Sequence, residues 1–133
     1  MKKKNTISVN CLAIAAVCLL PLPLLSHAHS WMAPQQYAKQ QNPQAADEES
    51  VHFGKALFTE HCAFCHGKEA EGLDHQSTGL QKDTPNLPKR LATHSDGDFH
   101  WKIKNGKGNM SSFVERLGDD DIWNIINYIK TLP

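Results

Sequence analysis

The stretch Cys62-Ala63-Phe64-Cys65-His66 constrains this chain more than any other. Two thiols separated by two residues, followed at once by an imidazole, form the attachment pattern of a c-type haem. The spacing has a chemical basis. Each thiol adds to one porphyrin vinyl group and forms a thioether, which pins the ring beside the backbone. His66 is then held under the iron, where an imidazole nitrogen is the proximal ligand. A haem attached in this way buries a large apolar macrocycle, so a short chain can fold around it.

Other chemistries fit these five residues less well. A structural zinc site uses four ligands, usually from two such pairs, and only one pair is present. His61 and His66 would complete a cramped set. A thioredoxin-like redox pair follows a strand in a βαβ unit, whereas a helical pattern precedes this one. A Cys62–Cys65 disulfide would leave His66 without a role.

The first 28 residues read as a secretory signal, with Lys2, Lys3 and Lys4 before an apolar run from Ile7 to Leu25 and small residues at Ser26 and Ala28. Asn10, Pro21 and Pro23 interrupt that run, which weighs against an uncleaved spanning helix. No permanent membrane anchor is therefore expected, and the address is periplasmic. All 14 acidic residues lie after Ala28, whereas three of the 14 basic ones precede it, so residues 29–133 carry a formal charge of −3. That balance excludes a basic nucleic-acid binder. Cys11 and Cys18 leave with the signal, and the two that remain form the haem pair.

Residues 29–49 are rich in Gln, Ala and Pro without an apolar period, and read as a flexible polar tail or linker. Trp31 and Met32 stand out in it. The domain is expected over 50–133. Ser50 to His61 forms the first helix, with Ser50 as its cap and Val51, Gly54, Leu57 and Phe58 on one face. Gly54 in mid-helix points to close approach of another helix. Gly67 to Leu80 reads as a polar loop, and the prolines of Pro85-Asn86-Leu87-Pro88 exclude regular structure there. A short helix from Ser95 or Asp96 to about Lys104 ends at the glycine-rich turn 105–109. Asp119 to Leu132 carries Ile122, Ile125, Ile126, Ile129 and Leu132 at helical period, after three aspartates suited to the helix dipole. No strand alternation is visible, so the fold class is all-α.

The sixth iron position decides between electron transfer and ligand chemistry. After Ala28 the methionines are Met32, in the tail, and Met110, directly after the glycine-rich turn. Met110 is the better distal ligand, because a polar, glycine-rich loop is a poor setting for a core gap-filler. His52, His61, His75, His94 and His100 are expected at the surface.

The landmarks Gly54-x-x-Leu57-Phe58, Cys62-x-x-Cys65-His66-Gly67, Pro85-Asn86-Leu87, Ser95 to Met110 and the terminal helix with Trp123 and Tyr128 follow one another in an order that resembles a class I cytochrome c. The resemblance implies three or four helices wrapped around one covalent haem c. It implies His66 and Met110 as axial ligands, with Cys62 and Cys65 in thioether bonds. It also implies that the Pro85 carbonyl accepts from the second nitrogen of His66, and that Gly54 and Phe58 meet the terminal helix near Tyr128. Ser111 stands where many relatives have proline, which would leave the Met110 loop less stiff.

These readings favour a periplasmic one-electron carrier, not an enzyme, that shuttles between a donor and an acceptor redox protein. It is expected to be a monomer. The runner-up is a haem subunit docked permanently to a dehydrogenase or reductase, and a haem peroxidase or gas sensor ranks last. Lys82, Lys89, Arg90, Lys102, Lys104 and Lys107 outnumber the acids between residues 81 and 107, a basic bias that suits an acidic partner surface.

Overall fold

The computed structural model describes residues 31–133, and the signal segment expected at 1–28 lies outside the described residues. The described chain folds into α1 (Gln35–Ala38), α2 (Glu48–His61), α3 (Ala63–His66), α4 (His75–Thr78), α5 (Leu87–Leu91), α6 (Asp96–Asn105) and α7 (Asp119–Lys130). Among the described residues the only β pairing is an isolated bridge between Lys107 and Met110. The fold is all-α, as the absence of strand alternation indicates.

α7 is the spine of the core. Its isoleucine stripe, Ile122, Ile125, Ile126 and Ile129, is essentially inaccessible to solvent. Asp119, Asp120 and Asp121 fill its first turn, and the Asp121 carboxylate accepts the Gly118 N–H at 2.9 Å, which ties down an otherwise unpaired helix-entry donor. α2 packs across α7, with Phe58 fully buried and its ring 5.5 Å from that of Tyr128. The crossing is as close as the sequence suggested. A Cβ on Gly54 would lie 1.9 Å from the Asn124 carbonyl oxygen, so backbone meets backbone there.

Asp47, not Ser50, caps α2, its side chain accepting the Ser50 N–H at 2.9 Å. Ser50 is instead buried in the α2–α7 seam. Its hydroxyl donates to Asn124 Oδ1 at 2.6 Å and accepts from Asn127 Nδ2 at 2.9 Å. The acidic residue before the helix wins the cap because the serine hydroxyl has a better use in the seam. A second departure is α5. Prolines do not prevent a helix here, because Pro88 sits in the first turn, where its missing N–H has no intrahelical partner to lose. Asn86 caps that turn by accepting the Lys89 N–H at 2.9 Å.

Residues 31–47, expected as a flexible tail, are packed against the domain. Asn42 donates to the Trp123 carbonyl at 3.1 Å and to Asn127 Oδ1 at 2.8 Å, and Asn127 donates in turn to the carbonyls of Gln44 and Ala45. Ser95 Oγ donates to the Ala38 carbonyl at 2.6 Å. A Cβ on Gly97 would lie 2.1 Å from the Tyr37 carbonyl oxygen, so α1 lies directly on the start of α6. A polar composition concealed this, because the segment is held by hydrogen bonds to buried asparagine and backbone groups and by few apolar side chains.

His100 also departs from its expected surface position. It is 6% exposed, and its ring stacks on Trp123 with centroids 4.0 Å apart and planes at 22°. Its Nε2 lies 3.2 Å from Asp119 Oδ1, close enough for charge attraction though without full hydrogen-bond geometry. Asp119 also receives Lys104 Nζ at 2.6 Å. The group joins the C-terminal half of α6 to the start of α7.

Two outcomes are expected. Gly54→Ala gains about 1 kcal/mol of helix propensity but drives a methyl into backbone, and overpacking of about 1–3 kcal/mol or more outweighs that gain. The guanidinium midpoint of the haem-loaded protein therefore falls. For His100, burial pushes the pKa below its ordinary 6.5, against the opposing pull of Asp119. The unfolded chain then binds the proton more readily than the folded one, so stability present at neutral pH is lost as pH falls below about 6.5. His100→Phe, which keeps an aromatic ring beside Trp123, should flatten that part of a stability–pH curve.

Candidate haem-binding site

α2 delivers the attachment motif. Its last turn ends at Cys62, whose N–H donates to the Phe58 carbonyl at 2.9 Å. The chain then turns at once into α3, with the N–H groups of Cys65 and His66 both on the Cys62 carbonyl, at 3.1 and 3.0 Å. Gly67 leaves this turn at φ +84°, in the left-handed region that favours glycine. No disulfide joins Cys62 to Cys65, and both are of intermediate exposure. Phe64, between them, is 82% exposed.

The loop after His66 folds back so that residues 84–87 lie beside it. The Gly72 N–H donates to the His66 carbonyl at 2.8 Å, and the Leu87 N–H donates to the Ala70 carbonyl at 2.8 Å. Thr84 holds the middle: its hydroxyl donates to the Cys65 carbonyl at 2.7 Å and accepts the Leu73 N–H at 2.7 Å. Gly72 is required for this approach, because a Cβ there would lie 2.4 Å from the Thr84 carbonyl oxygen and 2.9 Å from the Pro85 carbonyl carbon. Pro85 is thereby brought against His66. Burial holds the His66 imidazole pKa below its ordinary value, and the Pro85 carbonyl pulls weakly the other way. The contact falls short of full hydrogen-bond geometry, and Nδ1 is buried without another partner. A neutral imidazole is the form that binds a metal.

Met110 stands on a separate clamp. Lys107 and Met110 exchange both backbone hydrogen bonds, at 2.9 and 3.1 Å. The loop returns to the end of α6, where the Phe113 N–H and the Ser112 hydroxyl both reach the Lys104 carbonyl, at 3.2 and 2.7 Å. Gly106, at φ +65°, lets the strands of the loop meet, since a Cβ would lie 2.5 Å from the Met110 carbonyl oxygen. The Met110 side chain is half-buried against the apolar cluster that Cys62, Ala63 and Leu87 also touch. The described structure thus gathers the motif, the 84–87 segment and the Met110 loop around one core.

The donor set fits a covalently attached haem. Cys62 and Cys65 are joined by no disulfide and His66 follows them directly, as two thioether bonds and one imidazole ligand require. Among the described residues no three His, Cys, Asp or Glu side chains converge as a metal cage. A cleft of about 440 Å³ between α5 and the end of α7, lined by Leu91, Ile129 and Leu132, is separate from these residues. Thr84 was not legible in the sequence: a lone threonine in a loop carries no pattern. The basic bias is also smaller in three dimensions than in sequence, because Lys102 pairs with Asp98 and Lys104 with Asp119.

Comparison with known proteins points to cytochromes. The family described as cytochrome C oxidase, cbb3-type, subunit III matches residues 49–129. The chain belongs to this family of c-type cytochromes, and it carries one covalently bound haem c. A cytochrome c6-like protein of Nostoc sp. is 30% identical over 84 residues, covering 63% of this chain and 72% of the relative. The cbb3-type cytochrome c oxidase subunit CcoP of Rubrivivax gelatinosus is 33% identical over 94 residues, covering 66% of this chain but only 28% of CcoP. The crystal structure of cytochrome cL from Methylophaga aminisulfidivorans superposes with a TM-score of 0.50 at 26% identity, over 64% of this chain and 54% of that one. The chain is accordingly a haem-based electron-transfer protein. No helix of the described residues is long and apolar enough to cross a membrane.

Thr84→Val removes the hydroxyl while keeping its volume, and leaves the Cys65 carbonyl and Leu73 N–H without that partner. A loss of about 1–3 kcal/mol in thermal or denaturant unfolding is expected, with Thr84→Ser retaining most of the stability.

Proposed function

We propose that this chain is a periplasmic carrier of single electrons between two redox proteins, exported by residues 1–28 and folded from the packed segment 31–49 together with 50–133. Cys62 and Cys65 would hold the haem by thioether bonds, His66 would be the proximal ligand and Met110 the distal one. The observation that carries this reading is the shared core. The attachment helix turn and the braced Met110 loop pack against the same apolar cluster, in a chain whose family is cytochromes.

A bound haem c supplies the one-electron chemistry, its iron alternating between ferric and ferrous. The chain's residues hold and tune it. Pro85 orients the His66 ring, and Thr84 with Gly72 keeps Pro85 in place. Met110 would offer the iron a soft thioether, a donor that would favour the ferrous state over ligand binding. Phe64, exposed beside the attachment cysteines, offers an apolar contact where a partner would approach.

A second reading has one specific support, the match to a family named for an oxidase subunit. In it the domain is docked permanently to a larger redox assembly. Co-purification with such a partner at high salt would favour that reading, and a single small species would favour the carrier.

Met110→Leu tests the ligand set. The swap conserves volume, so the fold should survive with a cost below about 1.5 kcal/mol. The ferric spectrum is expected to lose its sulfur–iron charge-transfer band and become high-spin. The reduction potential should fall, and the ferrous form should bind carbon monoxide readily. A variant with an unchanged spectrum would remove Met110 from the iron.

A further inference from the structure

The segment before α2 reaches the loop that carries Met110. The Trp31 ring lies beneath two ammonium groups, with Lys102 Nζ 5.6 Å and Lys107 Nζ 6.0 Å from its centroid. Both distances fall within the range of cation–π attraction. The ring is not simply adrift on the surface. Two residues on, the Ala33 N–H donates to Asp98 Oδ1 at 2.7 Å, and Asp98 is 1% exposed. Asp98 Oδ2 lies 2.5 Å from Lys102 Nζ. A buried carboxylate on α6 thus fixes both the backbone next to Trp31 and one of the two cations on its face.

The other cation is Lys107, the residue that exchanges both backbone hydrogen bonds with Met110. Any contact that restrains Lys107 restrains Met110 through that pair. The base of the loop is held on the Lys104 carbonyl, but its tip between Gly106 and Met110 is closed by the single Lys107–Met110 backbone pair. Gly106 and Gly108 both take positive φ, and Asn109 and Ser111 are exposed.

The geometry points to Trp31 as a positioning residue for Met110: the N-terminal segment latches the ligand loop through Lys107. This rests on Met110 being the distal ligand. In this latch Lys107 moves with the Met110 backbone when the loop opens, whereas Lys102 stays with Asp98. The ring therefore stabilises the closed loop selectively, which is what a positioning contact must do.

The test uses ferric, haem-loaded protein at neutral pH titrated with imidazole, which competes for the sixth position when Met110 departs. Trp31→Ala is expected to keep the sulfur–iron band without imidazole, yet to bind imidazole roughly two- to fivefold more tightly. Trp31→Phe, whose ring face still accepts a cation, should return most of the way to the unsubstituted affinity. Lys107→Gln should reproduce the Trp31→Ala effect, and it leaves the Asp98 contacts of the segment untouched if Trp31→Ala folds poorly. An intact band with unchanged imidazole affinity in Lys107→Gln overturns the latch and leaves the ligation standing. A shift in Trp31→Ala that Lys107→Gln does not share assigns the effect to packing and also overturns it. Absence of the band from the unsubstituted protein overturns Met110 ligation, and the latch with it.

Discussion

Backbone contact between α2 and α7 at Gly54 is the constraint on which the rest of the structure depends. The two helices meet with no side chain between them, the Gly54 Cα facing the Asn124 carbonyl. That proximity lets Ser50, Asn124 and Asn127 share one polar seam and puts Phe58 against Tyr128. Because α2 runs straight into Cys62, its position on α7 also sets where the haem-attachment turn begins. A core of modest size can be rigid when helices approach this closely, since dispersion contacts multiply as the spacing shrinks.

From that crossing the site is built by two independent clamps. On one side Thr84 and Gly72 press the Thr84–Leu87 segment onto the turn after His66. On the other, the end of α6 grips the Met110 loop through Lys104, Lys107 and Ser112. Neither clamp relies on exposed ion pairs. Each closes its loop with several hydrogen bonds to backbone groups at once, which favours a fixed geometry over a mobile one. A fixed geometry suits electron transfer, where little nuclear rearrangement should accompany the change of charge.

The electrostatics are largely internal. Asp98 and Asp119 each hold a lysine of α6, and Asp96 holds Lys130 of α7. Positions that look like a basic stripe along the sequence are thus partly neutralised in space, and the surface left to guide a partner is more mixed. His100 belongs to this inner network and not to solvent. A flat ring beside Trp123, one edge toward Asp119, is a packing element as much as a titratable one.

Much of this was legible in the residues themselves. The Cys62-x-x-Cys65-His66 spacing implied its cofactor because thioether chemistry admits few alternatives. The isoleucine period of α7 fixed a helix and its buried face, and Gly54 announced a close neighbour because glycine is otherwise unfavourable in mid-helix. What only the tertiary structure decided are the contacts between segments distant in sequence whose residue types carry no pattern. Thr84 beneath Cys65, Asn42 on α7, Trp31 between two lysines and the buried His100 all fall in this class. Local propensity and periodicity report what a residue does with its near neighbours, whereas a single polar side chain acquires its partner only when the fold brings one, so a segment with a linker's composition could be drawn firmly onto the core.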